Sequence, residues 1–231
     1  MEKTLKVTNV LSDPTRYRIY QHLVTSRKET TVAEIAKRFD IHQNVARLHL
    51  SKLEDIHLVL SYSRKSGKGG RPARVYTLSN ELIELSFPQR DYKTLASIAI
   101  ESMASLGEAG KQALYQTGKK YGTEMIGHTP KSNTNLSIDD KIRLLEDTSE
   151  VLGLYASFAY HEPNQSISFQ INNCPFQEIA ESNSDVICTM HTSFLKGMFT
   201  AMFDNMELKE ENNMFTHDCD HCSYKLNLSI V

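Results

Sequence analysis

The feature that most restricts the fold is a change of apolar period near residue 57. Up to Ile56 the apolar residues recur at helical spacing, and from Val59 they alternate as in strands, around a glycine-rich basic loop. Ser12, Asp13 and Pro14 form an N-cap signal with proline in the first turn, and Tyr17, Ile19, Tyr20, Leu23 and Val24 continue a helix to about Ser26. Thr31, with Glu34 three residues on, is a capping-box signal for a second helix to Phe39, striped by Val32, Ile35, Ala36 and Phe39. Asp40-Ile41 is a tight connection. A third helix is expected from His42 to about Ile56, burying Val45, Ala46, Leu48, Leu50 and Leu53. Val59–Tyr62 and Arg74–Leu78 read as strands flanking a loop, residues 63–73, that holds four basic residues and no acid. Helix, helix, turn, helix and basic hairpin is the winged helix-turn-helix order.

A helix that reads duplex DNA must pack one stripe on its neighbour and offer the other to bases and phosphates. The third helix has both. Gln43, Asn44, Arg47, His49 and Lys52 are expected on its polar side, where Asn and Gln suit adenine and Arg suits guanine or phosphate. The hairpin adds Arg64, Lys65, Lys68, Arg71 and Arg74. Charge follows the same division. Residues 1–78 hold 15 Lys and Arg against 7 Asp and Glu, and the remainder holds 11 against 21, which a net charge of −2 conceals. A basic head on an acidic body suits attraction to a polyanion, with a log–log salt slope of roughly −4 to −5 if about five phosphates are neutralised.

The runs VLSDPTRYRIYQHL, TVAEIAKRFDIHQNVARLHLSKLEDIHLV and GRPARVYTLS resemble winged-helix repressors of the ArsR/DeoR type, in which an H-L-x-x-L helix precedes a G-R-P-A-x-x-Y-x-L wing. The position after the helix is commonly glycine in those proteins. Here it is His57, so a differently shaped helix end is expected.

Residues 79–90, with Pro88, read as a linker, giving a DNA-binding domain over 1–80 and an effector and dimerisation domain over 81–231. The second domain reads as α+β with antiparallel strands. Helices are expected over about Tyr92–Leu106, Glu108–Ile126, Ile138–Leu152 and Asp185–Phe203. Strands are expected over Tyr155–His161, Ser166–Ile171, Glu207–Phe215 and Tyr224–Ile230. The apolar helices between Leu95 and Ile126, with the need to read two half-sites, point to a homodimer.

All four cysteines fall in the second domain. Cys219 and Cys222 have the spacing of a two-thiolate knuckle, Cys174 follows a strand, and Cys188 is expected near a helix start where the dipole favours a thiolate. Four soft ligands from three places suit zinc or an iron–sulfur cluster, which the sequence leaves undecided. His191, one turn from Cys188, is a further candidate ligand, and His217 and His221 flank the knuckle. Unliganded thiols, or a thiol–disulfide switch at Cys219 and Cys222, are the other readings of the same residues.

The stretch Asn172-Asn173-Cys174-Pro175-Phe176, then Val186–His191, then Phe194–Gly197, is similar to a signature of two-domain regulators that include the cyanobacterial-type repressors of iron–sulfur cluster assembly. The resemblance implies a cluster on these cysteines whose presence alters operator binding. The expectation is therefore a cytoplasmic regulator, most simply a repressor, binding a double-stranded operator as a homodimer and answering to a metal, cluster or redox state. A regulator answering to a small organic molecule, with a merely structural zinc, is the alternative. No nucleophile or phosphate loop accompanies Glu178 and Glu181, so no enzyme is expected. No apolar run approaches the roughly 20 residues that span a bilayer.

Overall fold

The computed structural model describes residues 2–64, 72–79, 81–88, 90–127, 136–216 and 219–228. The chain divides into two compact units, Met1–Arg90 and Asp91–Val231, at the far end of the stretch read as a linker. The class is α+β.

The first unit runs α1 (Glu2–Leu11), α2 (Pro14–Ser26), β1 (Thr30–Thr31), α3 (Val32–Phe39), α4 (Gln43–Glu54), β2 (Val59–Arg64) and β3 (Ala73–Leu78). Helix starts follow the capping chemistry. Asp13 accepts from the Arg16 amide at 2.9 Å with Pro14 in the first turn. Thr31 and Glu34 complete a reciprocal capping box. His42 caps α4, its Nδ1 accepting from the Asn44 amide at 3.2 Å. Turns between helices use left-handed residues: Asp40 has φ 51° and its amide returns to the Ala36 carbonyl. His57 also adopts a positive φ, 61°, so the backbone at this position has the conformation glycine would supply, and the imidazole is accommodated there. The strands form an antiparallel sheet in the order β1-β3-β2, with Val59 opposite Leu78 and Arg64 opposite Ala73.

One core closes this unit. Val7 and Val10 of α1, Ile19 and Leu23 of α2, Ile35 of α3, Ala46, Leu50 and Leu53 of α4, and Val59 and Tyr76 of the sheet are all buried together. Helix α1 and the short strand β1 were not anticipated from sequence. α1 earns its place tertiarily, through Val7 and Val10 in the shared core.

The second unit runs α5 (Tyr92–Ser105), α6 (Glu108–Gly127), α7 (Ile138–Val151), β4 (Ala156–His161), a 3-10 turn (Glu162–Asn164), β5 (Ser166–Ile171), α8 (Gln177–Thr200), β6 (Met206–Asn212) and β7 (Cys222–Leu228). The sheet is antiparallel in the order β4-β5-β7-β6. Alternation turns Ile167, Phe169 and Ile171 of β5 inward beside Tyr224 and Leu226 of β7, where they share a core with Ile126 of α6, Leu145 of α7 and Leu195, Met198 and Phe199 of α8. Phe169 is its aromatic centre, stacked on Phe158 and Tyr224 at 5.2 and 5.1 Å and tilted against Phe199 at 5.1 Å.

α6 and α8 meet at backbone distance. A Cβ on Gly122 would lie 1.9 Å from the Phe194 carbonyl oxygen, and one on Gly197 would lie 2.1 Å from that of Lys119. Thr123 Oγ1 donates across the seam to the Gly197 carbonyl at 3.2 Å, and Ser193 Oγ to that of Tyr115 at 2.9 Å. α8 begins at Gln177, well before the expected Asp185, and carries a break in helical backbone at Asn183 (φ −140°, ψ 42°). Among the described residues, no helix is long and apolar enough to cross a membrane.

Candidate nucleic-acid interface and the cysteine cluster

α4 is held from behind by α3, α2 and β2. Ala46, Leu50 and Leu53 enter the core, and His49 goes in with them, 6% exposed. This corrects the expectation that His49 stays on the polar side. Its Nδ1 accepts from Arg16 Nε at 3.4 Å, while Arg16 Nη1 donates to the Val10 carbonyl at 2.7 Å. Desolvation is the largest influence on the imidazole and pushes its pKa down; Asp13 opposes this and Arg16 adds to it. His49 is therefore a neutral acceptor that fixes α4 on α2 through Arg16.

The outward side of α4 presents Gln43, Asn44, Arg47 and Lys52 as expected. Two residues assigned to the core from their apolar character also stand there: Val45 is 40% exposed and Leu48 is 54% exposed. Arg47 Nη1 donates to Asn44 Oδ1 at 3.0 Å, and Lys52 Nζ lies 3.5 Å from Asp55.

The sheet cations are paired within the unit. Arg64 Nη1 donates to Glu29 at 2.6 Å, and the Tyr62 hydroxyl bonds the same carboxylate. Arg74 donates to both oxygens of Glu54, at 2.7 and 3.0 Å, and to Ser61 Oγ at 2.8 Å. Arg64 and Arg74 remain more than half exposed, so each keeps donors on the solvent side. Lys65, Lys68 and Arg71 lie outside the described residues.

Three helices packed in this way, the last offering amides and cations to solvent beside a basic sheet edge, form a surface that suits a phosphate backbone and base edges. Residues 11–61 match the family model described as a helix-turn-helix domain. No curated protein matches the chain. The first unit carries a helix-turn-helix. That match spans α2 to β2 and supports a DNA-binding transcription regulator. In the helix-turn-helix, α3 and α4 are the two helices joined by the turn at Asp40, and α4 occupies the recognition position.

In the second unit, the four thiols come from four places. Cys174 follows β5, Cys188 sits within α8, Cys219 is in the turn before β7, and Cys222 opens β7 opposite Ile171. All four are free. Cys174 is influenced by Cys222 and Cys188, and Cys222 by Cys188 and Cys219, so the fold gathers them into one electrostatic neighbourhood. Burial pushes the Cys174 thiol up to about 12, with Cys222, Cys188 and Glu178 adding to the rise and the Phe176 amide opposing it. Burial likewise pushes Cys222 up to about 11, opposed by the Met214 amide, which donates to its Sγ at 3.5 Å.

Cys188 is also shifted upward, mainly by burial, with Asn213 opposing and Glu210 and Asp185 contributing. Because α8 starts at Gln177, Cys188 is internal to the helix, and the expected thiolate-favouring dipole at a helix start is replaced by a protonating environment. Among the described residues, no group of three or more His, Cys, Asp or Glu side chains is placed to hold a metal ion. His191 is 6% exposed, lies edge-on to Phe176 at 5.2 Å, and leaves its Nε2 without a hydrogen-bond partner. Desolvation lowers its pKa to about 4. His221 Nδ1 lies 3.0 Å from Asp220 and Cys219 Sγ donates to the His221 carbonyl at 3.2 Å, while His217 lies outside the described residues.

Three residues of this neighbourhood were not singled out from sequence: Glu210, Asn213 and Tyr224. Asn213 Nδ2 donates to both Glu210 oxygens at 3.3 Å, Asn213 and Glu210 act on the Cys188 thiol in opposite senses, and Glu210 and Thr192 act on the buried Tyr224 hydroxyl. The available signal was the pair Asn212-Asn213, which ends β6 inside what read as one strand to Phe215.

Proposed function

We propose that the chain is a transcriptional repressor that binds an operator duplex as a homodimer through α4 and the basic edge of the first sheet. The observation that carries this reading is the helix-turn-helix itself, with a buried back fixed by His49 and Arg16 and a front of amides and cations. Gln43, Asn44 and Arg47 reach base edges and phosphates, while Lys52, Arg64 and Arg74 neutralise backbone charge. Dimerisation is supported by α5, an apolar helix with no buried residue. Two half-sites one helical turn apart need two copies of α4.

The regulatory input in this reading is a zinc ion or an iron–sulfur cluster held by Cys174, Cys188, Cys219 and Cys222, with His191 as a further donor. The donor types suit such a centre, although no three of the described side chains are already placed to hold one, so loading has to draw the thiols together. The sulfur atoms influence one another within one neighbourhood, and the buried His191 Nε2, on the helix turn after Cys188, has no hydrogen-bond partner. A bound metal centre would supply the positive charge that turns these thiols into thiolates. The chain's own part is to bring β5, α8 and β7 together, so that ligation orders the second unit and sets the spacing of the two α4 helices.

The test is fluorescence anisotropy with full-length protein, purified without oxygen, on duplex from its own promoter region. Saturable binding is expected that weakens with salt and is lost in the Gln43→Ala, Arg47→Ala double variant. Indifference of the wild-type protein to that duplex at low salt would refute DNA binding. Unaltered affinity after all four cysteines are replaced by serine, in oxidising, reducing and chelating buffers, would refute the regulatory input.

A further inference from the structure

Leu48 stands where the packing of its own unit makes no use of it. The buried side of α4 is Ala46, His49, Leu50 and Leu53, and the opposite side carries Asn44, Arg47, Leu48 and Ser51 at positions i, i+3, i+4 and i+7. Leu48 lies in the middle of that outer stripe, and more than half of its surface faces water. Its neighbours along the stripe are polar or cationic, and Val45, one turn back and 40% exposed, is the other aliphatic group on this side of α4, so the two form a small apolar spot within a polar field.

The polar neighbours narrow what it meets. Arg47 Nη1 donates to Asn44 Oδ1, which takes one of the amide oxygen's two lone pairs and orients the two side chains side by side, with N–H donors on both. Guanine N7 and O6 and thymine O4 accept from donors, and thymine sets a methyl group beside its acceptor. N–H donors next to an exposed aliphatic side chain are complementary to that edge.

We propose that Leu48 is the sequence-discriminating residue of α4, its side chain packing on a thymine 5-methyl group while Asn44 and Arg47 donate to acceptors of the same or adjoining bases. The assignment rests on the duplex-binding reading above and adds to it the base class read. Lys52, at the edge of the same face, supplies the charge that draws the helix to the groove.

The experiment begins by selecting sites from a random duplex pool with full-length protein, once under reducing, oxygen-free conditions and once after chelation. In the enriched sequence each thymine is then replaced in turn by deoxyuridine, which removes the methyl group alone. Wild-type protein is expected to lose about fourfold in affinity at one thymine per half-site, the value of one buried methyl group. Leu48→Ala is expected to bind the thymine duplex at least as weakly and to lose nothing further on the uracil duplex. The side chain is exposed and alanine is a strong helix former, so circular dichroism of the variant should match wild type. The assignment is overturned if Leu48→Ala keeps the full deoxyuridine penalty, or if no thymine methyl matters to wild type. Should no sequence be enriched and no duplex retained, the duplex-binding reading fails first and takes this assignment with it.

Discussion

Replacing Gly122 with alanine sets two effects of opposite sign against each other. Within a helix, glycine costs about 1 kcal/mol relative to alanine, so propensity favours the substitution. The seam with α8 opposes it. The new methyl carbon would lie 1.9 Å from the Phe194 carbonyl oxygen, 2.8 Å from its carbon and 3.1 Å from the Met198 nitrogen. These are backbone atoms of a packed helix, and no rotamer change moves them. Recovering an ordinary contact of about 3.2 Å requires the helices to part locally by more than an ångström, a gap that forfeits about half or more of each dispersion contact beside it. The Thr123 bond to the Gly197 carbonyl, already 3.2 Å, and the Ser193 bond to the Tyr115 carbonyl are lost with it. Overpacking of this kind outweighs the propensity gain and leaves a net destabilisation of about 2–4 kcal/mol.

Hydrogen exchange followed by mass spectrometry reads this locally, which suits a two-unit chain whose global melt need not be two-state. Amides of α6 and α8 should exchange about 30- to 700-fold faster in Gly122→Ala, with α2 to α4 unchanged. Gly127→Ala is the control, because a Cβ there meets nothing within 4 Å. Exchange in Gly122→Ala as slow as in wild type would refute the close-approach argument.

Three further outcomes follow from the same geometry. In metal-free, reduced protein, His191 is held neutral to about pH 4 while the unfolded chain takes up its proton near pH 6.5, so stability is present above pH 6.5 and is lost as pH falls towards 4, by an amount on the order of 3 kcal/mol. His191→Leu, which also removes the unpartnered Nε2, should flatten that part of a stability–pH curve, and an unchanged curve would refute the assignment. At pH 8 the folded protein's Cys174 and Cys222 should react with a disulfide reagent at least about a hundredfold more slowly than free cysteine, reaching full rate only in denaturant, as read by absorbance and peptide mapping. Glu54→Gln removes the carboxylate charge paired with Arg74 at 2.7 Å and should raise duplex affinity about two- to fivefold at low salt, with a salt slope steeper by up to about 1; an unchanged slope would count against a phosphate role for Arg74.

The helix-turn-helix was legible because its determinants are local. Asp13-Pro14, Thr31 with Glu34, and the stripe Ala46, Leu50 and Leu53 state their structure within a few residues. The errors in the same region share a cause. Val45 and Leu48 were placed inside because they are apolar, and His49 outside because it is polar, whereas the helix phase puts His49 between Ala46 and Leu53 on the inner side and Leu48 on the outer one. Residue type and helical phase disagreed, and phase decided. α1 was invisible for the opposite reason, since its contribution is made only against the other helices' core residues.

The cysteine neighbourhood was half legible. The knuckle and the strand before Cys174 can be read from spacing, but the environment of the sulfurs depends on where α8 begins and on Glu210 and Asn213, which only the assembled sheet brings to Cys188. That environment has a consequence for the proposed cofactor. Cys174 and Cys222 are protonated at neutral pH, so each thiol recruited as a ligand must release a proton, and the apparent affinity for zinc would climb steeply with pH. A pre-ionised thiolate site would show no such climb. Proton release on titration with zinc in weakly buffered solution therefore counts how many of these buried thiols are recruited as ligands. Release of fewer than two protons per metal would rule out Cys174 and Cys222 serving together as ligands.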